Sequence, residues 1–413
     1  MLKQLILENW KSFRYAELPI DPLTVLIGTN ASGKSNVVEA LEFLQRIVRS
    51  ESVEVALAGD KMLPSIRSGV EWAALKNETQ FTLKALIQGE DDQTDYLYVL
   101  KIQTQPIFRV IEEYIDCHKN GDSLKANLEK YYIKNSYFIT KSGLKEVGSS
   151  IPRDEFDLSK MTKYSKEEWE NALKHKSQLI NEVKTFVLDA LESILILNPI
   201  PSKMRDYSRL SDTLESDASN IAGVLAALPD EQKAEVEETI SAYAKNLPEG
   251  DIQRIWAEKV GRFGTDAMLY CQELWKPGHI TEIDARSMSD GTLRFIAILT
   301  ALLTRPEGSQ LVIEEIDNGL HPSRAELLVR MLREIGEKRK IDILMTTHNP
   351  ALLDALGPEI VPFVVVAHRD SETGESKLTL LEDIENLPKL MASGTLGKLT
   401  TKGAIERSLA DTK

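Results

Sequence analysis

The stretch Leu23 to Asn36, LTVLIGTNASGKSN, limits the fold more than any other part of the chain. An apolar run ends at Gly28; four residues later come Gly33, Lys34 and Ser35, matching the pattern G-x-x-x-x-G-K-[ST]. The glycines let backbone amides turn inward around a phosphate, and Thr29, Asn30, Ala31, Ser32 and Asn36 complete the loop. The helix expected from Ser35 adds its amino-terminal amides to the same anion site. Lys34 brings a point charge to the β- and γ-phosphates, and the Ser35 hydroxyl ligates Mg²⁺. A chance glycine turn is the plainer alternative. It loses because the context fits, with a strand before the loop and, after it, SNVVEALEFLQRIVRS with apolar residues at helical spacing.

Further along, three segments carry chemistry. In QLVIEEIDNGLHP, Leu311, Val312 and Ile313 read as a buried strand, with Glu314 and Glu315 at its carboxyl edge, where ligands bind in open α/β sheets. Two adjacent acids can divide the work: Glu314 holds Mg²⁺ through water, and Glu315 orients the attacking water. In RSMSDGTLRFIAIL, Ser289 and Gly291 open an apolar helix; Ser289 caps it and leaves free amides for an anion. In ILMTTHNPALLD, His348 follows another buried strand, at the height of a γ-phosphate contact.

The order of these motifs resembles the ABC-type ATPases. It is most similar to the branch that contains structural-maintenance-of-chromosomes (SMC) proteins, recombination mediators and OLD-family proteins. LENWKSF at the start, and EEIDNGLHP with His321 where transporters carry an Asp, fit that branch. The resemblance covers Met1 to Ser50 and Asp284 to Leu356. It implies an α/β ATPase head, with a mixed or parallel sheet flanked by helices and an antiparallel β subdomain. It also implies ATP and Mg²⁺ as ligands. Two heads would close head to tail, each ATP lying between Lys34, Ser35, Glu315 and His348 of one protomer and Ser289 and Gly291 of the other. The signature MSDGT departs from Ser-Gly-Gly, and its Asp290 would set a carboxylate near the γ-phosphate. Glu314 stands where many relatives have Asp. The glutamine that would link Mg²⁺ to the lobe interface stays open among Gln80, Gln88, Gln93 and Gln103.

Elsewhere the chain is read by periodicity. LKQLILENWKSF and AELPIDPLTVLIG are expected as two strands, and Phe81 to Ile87 with Tyr96 to Ile102 as a hairpin. Trp169, Leu173, Leu179, Ile180, Val183, Val187, Leu191 and Ile194 predict a long amphipathic helix, and Ser219 to Leu247 a broken helical region. AMLYCQELW and ITEIDA are expected as strands. From Gln310 onward, strand–helix alternation predicts a mostly parallel sheet covered by helices. The expected division is 1–145 as an N-terminal lobe, 146–250 as a mainly helical insertion and 251–413 as a C-terminal lobe.

Composition narrows the role. The net charge of −14 repels phosphate backbones and anionic lipid on average. The densest basic stretch, REIGEKRK from Arg333 to Lys340, reads as the solvated end of a helix. Cys117 and Cys271 are too few and too far apart for a disulfide scaffold or a CxxC metal site. No signal peptide or apolar span of about 18 residues is evident, so a cytoplasmic chain without membrane contact is expected. Lys34 and Ser289 lie 255 positions apart, more than a transporter subunit needs. No coiled-coil arms are found, and the 65 residues after His348 are too short for a C-terminal nuclease domain. The expectation is therefore a stand-alone, dimerising ATPase that regulates a separately encoded effector, a nuclease or toxin, in a bacterial defence module. DNA repair or recombination is the alternative.

Overall fold

The computed structural model describes residues 1–119 and 181–411 apart from 50–51, 62, 68, 92 and 277, together with 122–123, 137–138, 145–146 and 178. In chain order the strands are β1 (Leu2–Trp10), β2 (Phe13–Pro19), β3 (Leu23–Ile27), β4 (Gln80–Gln88), β5 (Thr94–Gln103), β6 (Arg109–Lys119) and β7 (Asp122–Ser123). Next come β8 (Tyr137–Phe138), β9 (Lys145–Glu146), β10 (Leu195–Leu197), β11 (Ser208–Arg209), β12 (Ile252–Val260), β13 (Asp266–Lys276) and β14 (His279–Asp284). The last four are β15 (Gln310–Ile313), β16 (Asp342–Thr346), β17 (Val364–Arg369) and β18 (Ser376–Leu380). Contacts divide the chain into two units, one of residues 1–19 and 39–194, the other of 20–38 and 195–413.

In the first unit, β2, β1, β4, β5, β6 and β7 are neighbours in that order, each pair antiparallel. The expected hairpin is β4–β5, in register from Gln80 opposite Gln103 to Gln88 opposite Asp95. Trp10, Phe43 and Phe81 form its aromatic core, with Trp10 stacked on Phe43 at 5.9 Å and edge-on to Phe81 at 4.9 Å. The two amino-terminal strands expected from sequence are three. The second stretch breaks between Pro19 and Leu23, where Pro22 supplies no ladder donor and the Asp21 amide turns to the Thr24 hydroxyl. Of the amphipathic helix expected from Trp169, residues 181–192 are helical; Trp169, Leu173, Leu179 and Ile180 lie outside the described residues.

The second unit holds a sheet ordered β10-β15-β16-β3-β17-β18. Its first five strands run parallel, and β18 is antiparallel to β17. LTVLI, QLVI, DILMT and VVVA are buried almost throughout, as strands covered on both faces must be. A second, antiparallel sheet sets β11 and β12 on either side of β13, with β14 also paired to β13. The helix Asp290–Thr304 buries ten of its residues, from Thr292 to Leu302, and packs against the helices Asp230–Lys245 and Ala325–Arg339. Residues 195–250, expected within an insertion, contribute β10 and the helices Ile221–Ala227 and Asp230–Lys245 to the same unit and core as 251–413.

Candidate functional site

Apart from the glutamine candidates, the residues expected at the nucleotide site belong to the second unit. Adjacent strands β15, β16 and β3 end level with one another: Ile313 is opposite Met345, and Thr346 opposite Leu26. Beyond those ends lie Gly28, Glu314 and His348, so three loops open from one edge of a parallel sheet.

The loop from Gly28 to Ser35 is built around close approach. A Cβ on Gly28, at φ +144°, would lie 2.1 Å from the Ala367 carbonyl oxygen and 2.9 Å from the Ser32 hydroxyl. Gly33 and Ala31 also have positive φ, 113° and 62°. Arg369 Nε donates to the Ala31 carbonyl at 2.9 Å, and Lys34 Nζ to the carbonyls of Gly28 at 2.6 Å and Thr29 at 3.0 Å. Burial, the largest influence, brings the Lys34 ammonium below the ordinary lysine range, against the opposing pull of Glu315, Glu314 and Glu406. Thr29 and Asn30 are exposed, and Asn36 is half-buried in the first turn of the helix Lys34–Arg49.

Ser35 donates its hydroxyl hydrogen bond to Glu314 Oε1, across 279 residues of sequence. Two hard oxygen donors are thereby brought together, the set that Mg²⁺ prefers. Ser32 is 1 % exposed and its hydroxyl has no protein partner. A glycine cradle, an orphaned hydroxyl and a Ser–Glu oxygen pair together fit a magnesium nucleotide.

Glu315 is exposed, with φ +47°, a conformation costly for a residue with a side chain. Its amide donates to Thr346 Oγ1 at 2.8 Å, and the next amide, that of Ile316, to the Thr346 carbonyl at 3.1 Å. Thr347 Oγ1 donates to Asp317 Oδ1 and accepts from the Asn349 amide at 3.1 Å. These bonds tie the loop carrying Glu315 to the loop carrying His348, which is itself exposed. The sequence reading missed Thr346 and Thr347; the signal was a pair of threonines ending a fully buried strand immediately before the histidine.

Ser289 caps the helix Asp290–Thr304 as expected, accepting from the Thr292 amide at 3.1 Å. Its neighbour Asp290 pairs with Arg205 at 2.7 Å, and Arg205 also donates to the Met288 carbonyl. The carboxylate expected near a γ-phosphate therefore carries its own counter-charge. Arg294, one turn on, is half-buried; burial lowers its pKa most, with Asp290 and Glu315 opposing. Gln80, Gln88 and Gln103 lie on β4 and β5 of the other unit, and Gln93 in the turn between them.

Residues 1–353 match the family of AAA ATPase domains. The OLD nuclease of Thermus scotoductus is 20% identical over 415 aligned residues, covering 94% of this chain and 67% of that protein. Structural maintenance of chromosomes protein 1 of Schizosaccharomyces pombe is 24% identical over 184 residues, covering 43% of this chain and 14% of that protein. A crystal structure of an Smc head bound to the C-winged helix domain of ScpA superposes with a TM-score of 0.52 at 14% identity, covering 92% of this chain and 97% of that one. The fold is thus that of an SMC-type ABC ATPase head, and the chain belongs to the family of AAA ATPase domains.

Proposed function

We propose that this chain hydrolyses ATP and that two copies close head to tail around two magnesium nucleotides. The observation that carries the reading is the Ser35–Glu314 hydrogen bond, which joins the phosphate loop to the acidic strand end beside Glu315. The loop amides and Lys34 would hold the β- and γ-phosphates. Magnesium carried in with the nucleotide would neutralise phosphate charge, with Ser35 and Glu314 as its oxygen partners. Glu315 would orient the water that attacks the γ-phosphorus as the bond to the β,γ-bridging oxygen breaks, and His348 would contact the γ-phosphate. Ser289 and Gly291 sit at a separate helix start, and in this reading they serve the nucleotide of the second copy.

The biological role that fits best is regulation of a separately encoded effector, a nuclease or toxin, in a defence module. The similarity along 94% of the chain to an OLD nuclease supports the connection. Action directly on DNA is the outcome that the test separates from it.

Lys34→Ala should abolish ATP binding in equilibrium dialysis; unchanged affinity would remove the loop from the site. Glu315→Gln should keep ATP bound and slow hydrolysis on the order of 100-fold, the low end of what a positioned base contributes. In light scattering with Mg-ATP it should accumulate as a two-chain species. Captured from cells carrying its native gene neighbourhood, it should bring down a protein partner; DNA alone would favour the repair reading.

A further inference from the structure

The helix Asp290–Thr304 begins over a buried arginine that the nucleotide reading does not use. Arg324 is 6 % exposed. Its Nε and Nη2 both turn to Glu249 Oε1, at 3.1 and 2.9 Å. Its Nη1 is buried with no hydrogen-bond partner. A Cβ placed on Gly291 would lie 2.9 Å from that Nη1 and 2.9 Å from the Gly319 carbonyl oxygen. The signature glycine is therefore required by space rather than by backbone conformation: an arginine nitrogen and a carbonyl occupy the room a side chain would need.

We propose that Arg324 is a positioning residue for the anion site at the start of this helix. It rests on the head-to-tail reading, in which Ser289 and Gly291 receive the γ-phosphate of ATP held by the second copy. Glu249 neutralises one side of the guanidinium and leaves the other directed at the helix start, so the pair is a dipole with its positive end under Gly291. That end adds to the anion preference of the free helix amides. The planar fork also fixes where it sits, which a lysine ammonium on a flexible stem would not do. Glu249 is the anchor: burial would raise its pKa, but hydrogen bonding and charge from Arg324, with the charge of His321, outweigh this and hold it below the usual glutamate range. Asp290 does not cancel the arrangement, because its charge is paired with Arg205.

The test is made in the Glu315→Gln background, measuring the protein concentration at half-association in saturating Mg-ATP, the ATP affinity of dilute monomer and the melting temperature. Adding Arg324→Gln should raise the half-association concentration about tenfold and leave monomer ATP affinity within about twofold. Arg324→Lys keeps the charge without the fork and should fall between. Glu249→Gln should shift association in the same direction by less, and it carries the test if Arg324→Gln lowers melting too far. Association of folded Arg324→Gln at the parent concentration overturns the proposal, as does an equal loss in monomer ATP affinity, which would mark a merely structural role. If the Glu315→Gln parent itself stays monomeric in ATP, the head-to-tail reading fails first, and this proposal with it.

Discussion

At the scale of single residues, the strongest local statement is the backbone of Glu315. A glutamate at φ +47° costs on the order of 1 to 3 kcal/mol, and such strain persists only where neighbours over-determine it. Here Thr346 does so, through its hydroxyl to the Glu315 amide and its carbonyl to the Ile316 amide. Thr346→Val keeps the shape and removes the acceptor. The expected cost is about 1 kcal/mol, because the amide is only part-buried and water can partly replace the lost acceptor. Turnover should drop more than tenfold as Glu315 relaxes, while ATP affinity stays within about twofold, because the phosphate loop is untouched. Melting curves with steady-state hydrolysis check this; lower melting with unchanged turnover would show that the left-handed turn does not place the carboxylate. Gly28, Lys34, Ser35, Glu314 and Ser289 were legible because each motif fixes chemistry and spacing at once. The contacts of Thr346 and Arg324 were not, because they join segments far apart in sequence.

At the scale of elements, the parallel sheet was readable because its strands are buried on both faces and hence nearly continuous in apolar residues. The role of 195–250 was not. The helix Ile221–Ala227 is apolar all round, a pattern that fits the core of an insertion as well as that of the lobe, and nothing in LIL reveals that β10 pairs with β15 rather than ending a separate insertion. The opposite end of the same sheet carries a titration. Asp342 opens β16, opposite Gln310, and is 6 % exposed. Burial, with Asp21 nearby adding to it, pushes its carboxyl up to about 6. A folded-state pKa above the unfolded value means that the native protein holds the proton more tightly. Stability from this group is therefore highest below about pH 4, falls as pH rises toward 6, and is constant in cost above that. Each pKa unit is worth about 1.4 kcal/mol, so Asp342→Asn should stabilise the protein by about 2 to 3 kcal/mol at pH 8 and by almost nothing near pH 4. Urea unfolding at both values decides it; an equal gain at both would mean that packing, not ionisation, is responsible.

At the scale of the whole molecule, the question is what an acidic ATPase can act upon. The net charge is −14, and the one dense basic stretch does not form a free cationic face. Arg339 donates to the carbonyls of Leu302, Leu303 and Arg305, closing the carboxyl end of the helix that Ser289 opens. Arg333 pairs with Glu359 and donates to the Leu356 carbonyl. Two of the cations that looked solvated are thus occupied with helix ends and a carboxylate. Binding to duplex DNA without sequence preference depends on neutralising phosphates with several free cations, and typically gives dissociation constants of about 10⁻⁴ to 10⁻⁶ M at physiological salt. The expectation is binding weaker than about 10⁻⁴ M at 150 mM salt, for the wild type and for Glu315→Gln held in Mg-ATP. Fluorescence anisotropy with a labelled duplex, repeated across a salt series, measures it. Micromolar binding that weakens steeply with salt would mean that closing two heads assembles a cationic surface no single head carries, and the DNA reading would then displace the effector reading. Weak binding in both nucleotide states would favour the effector reading over the DNA reading.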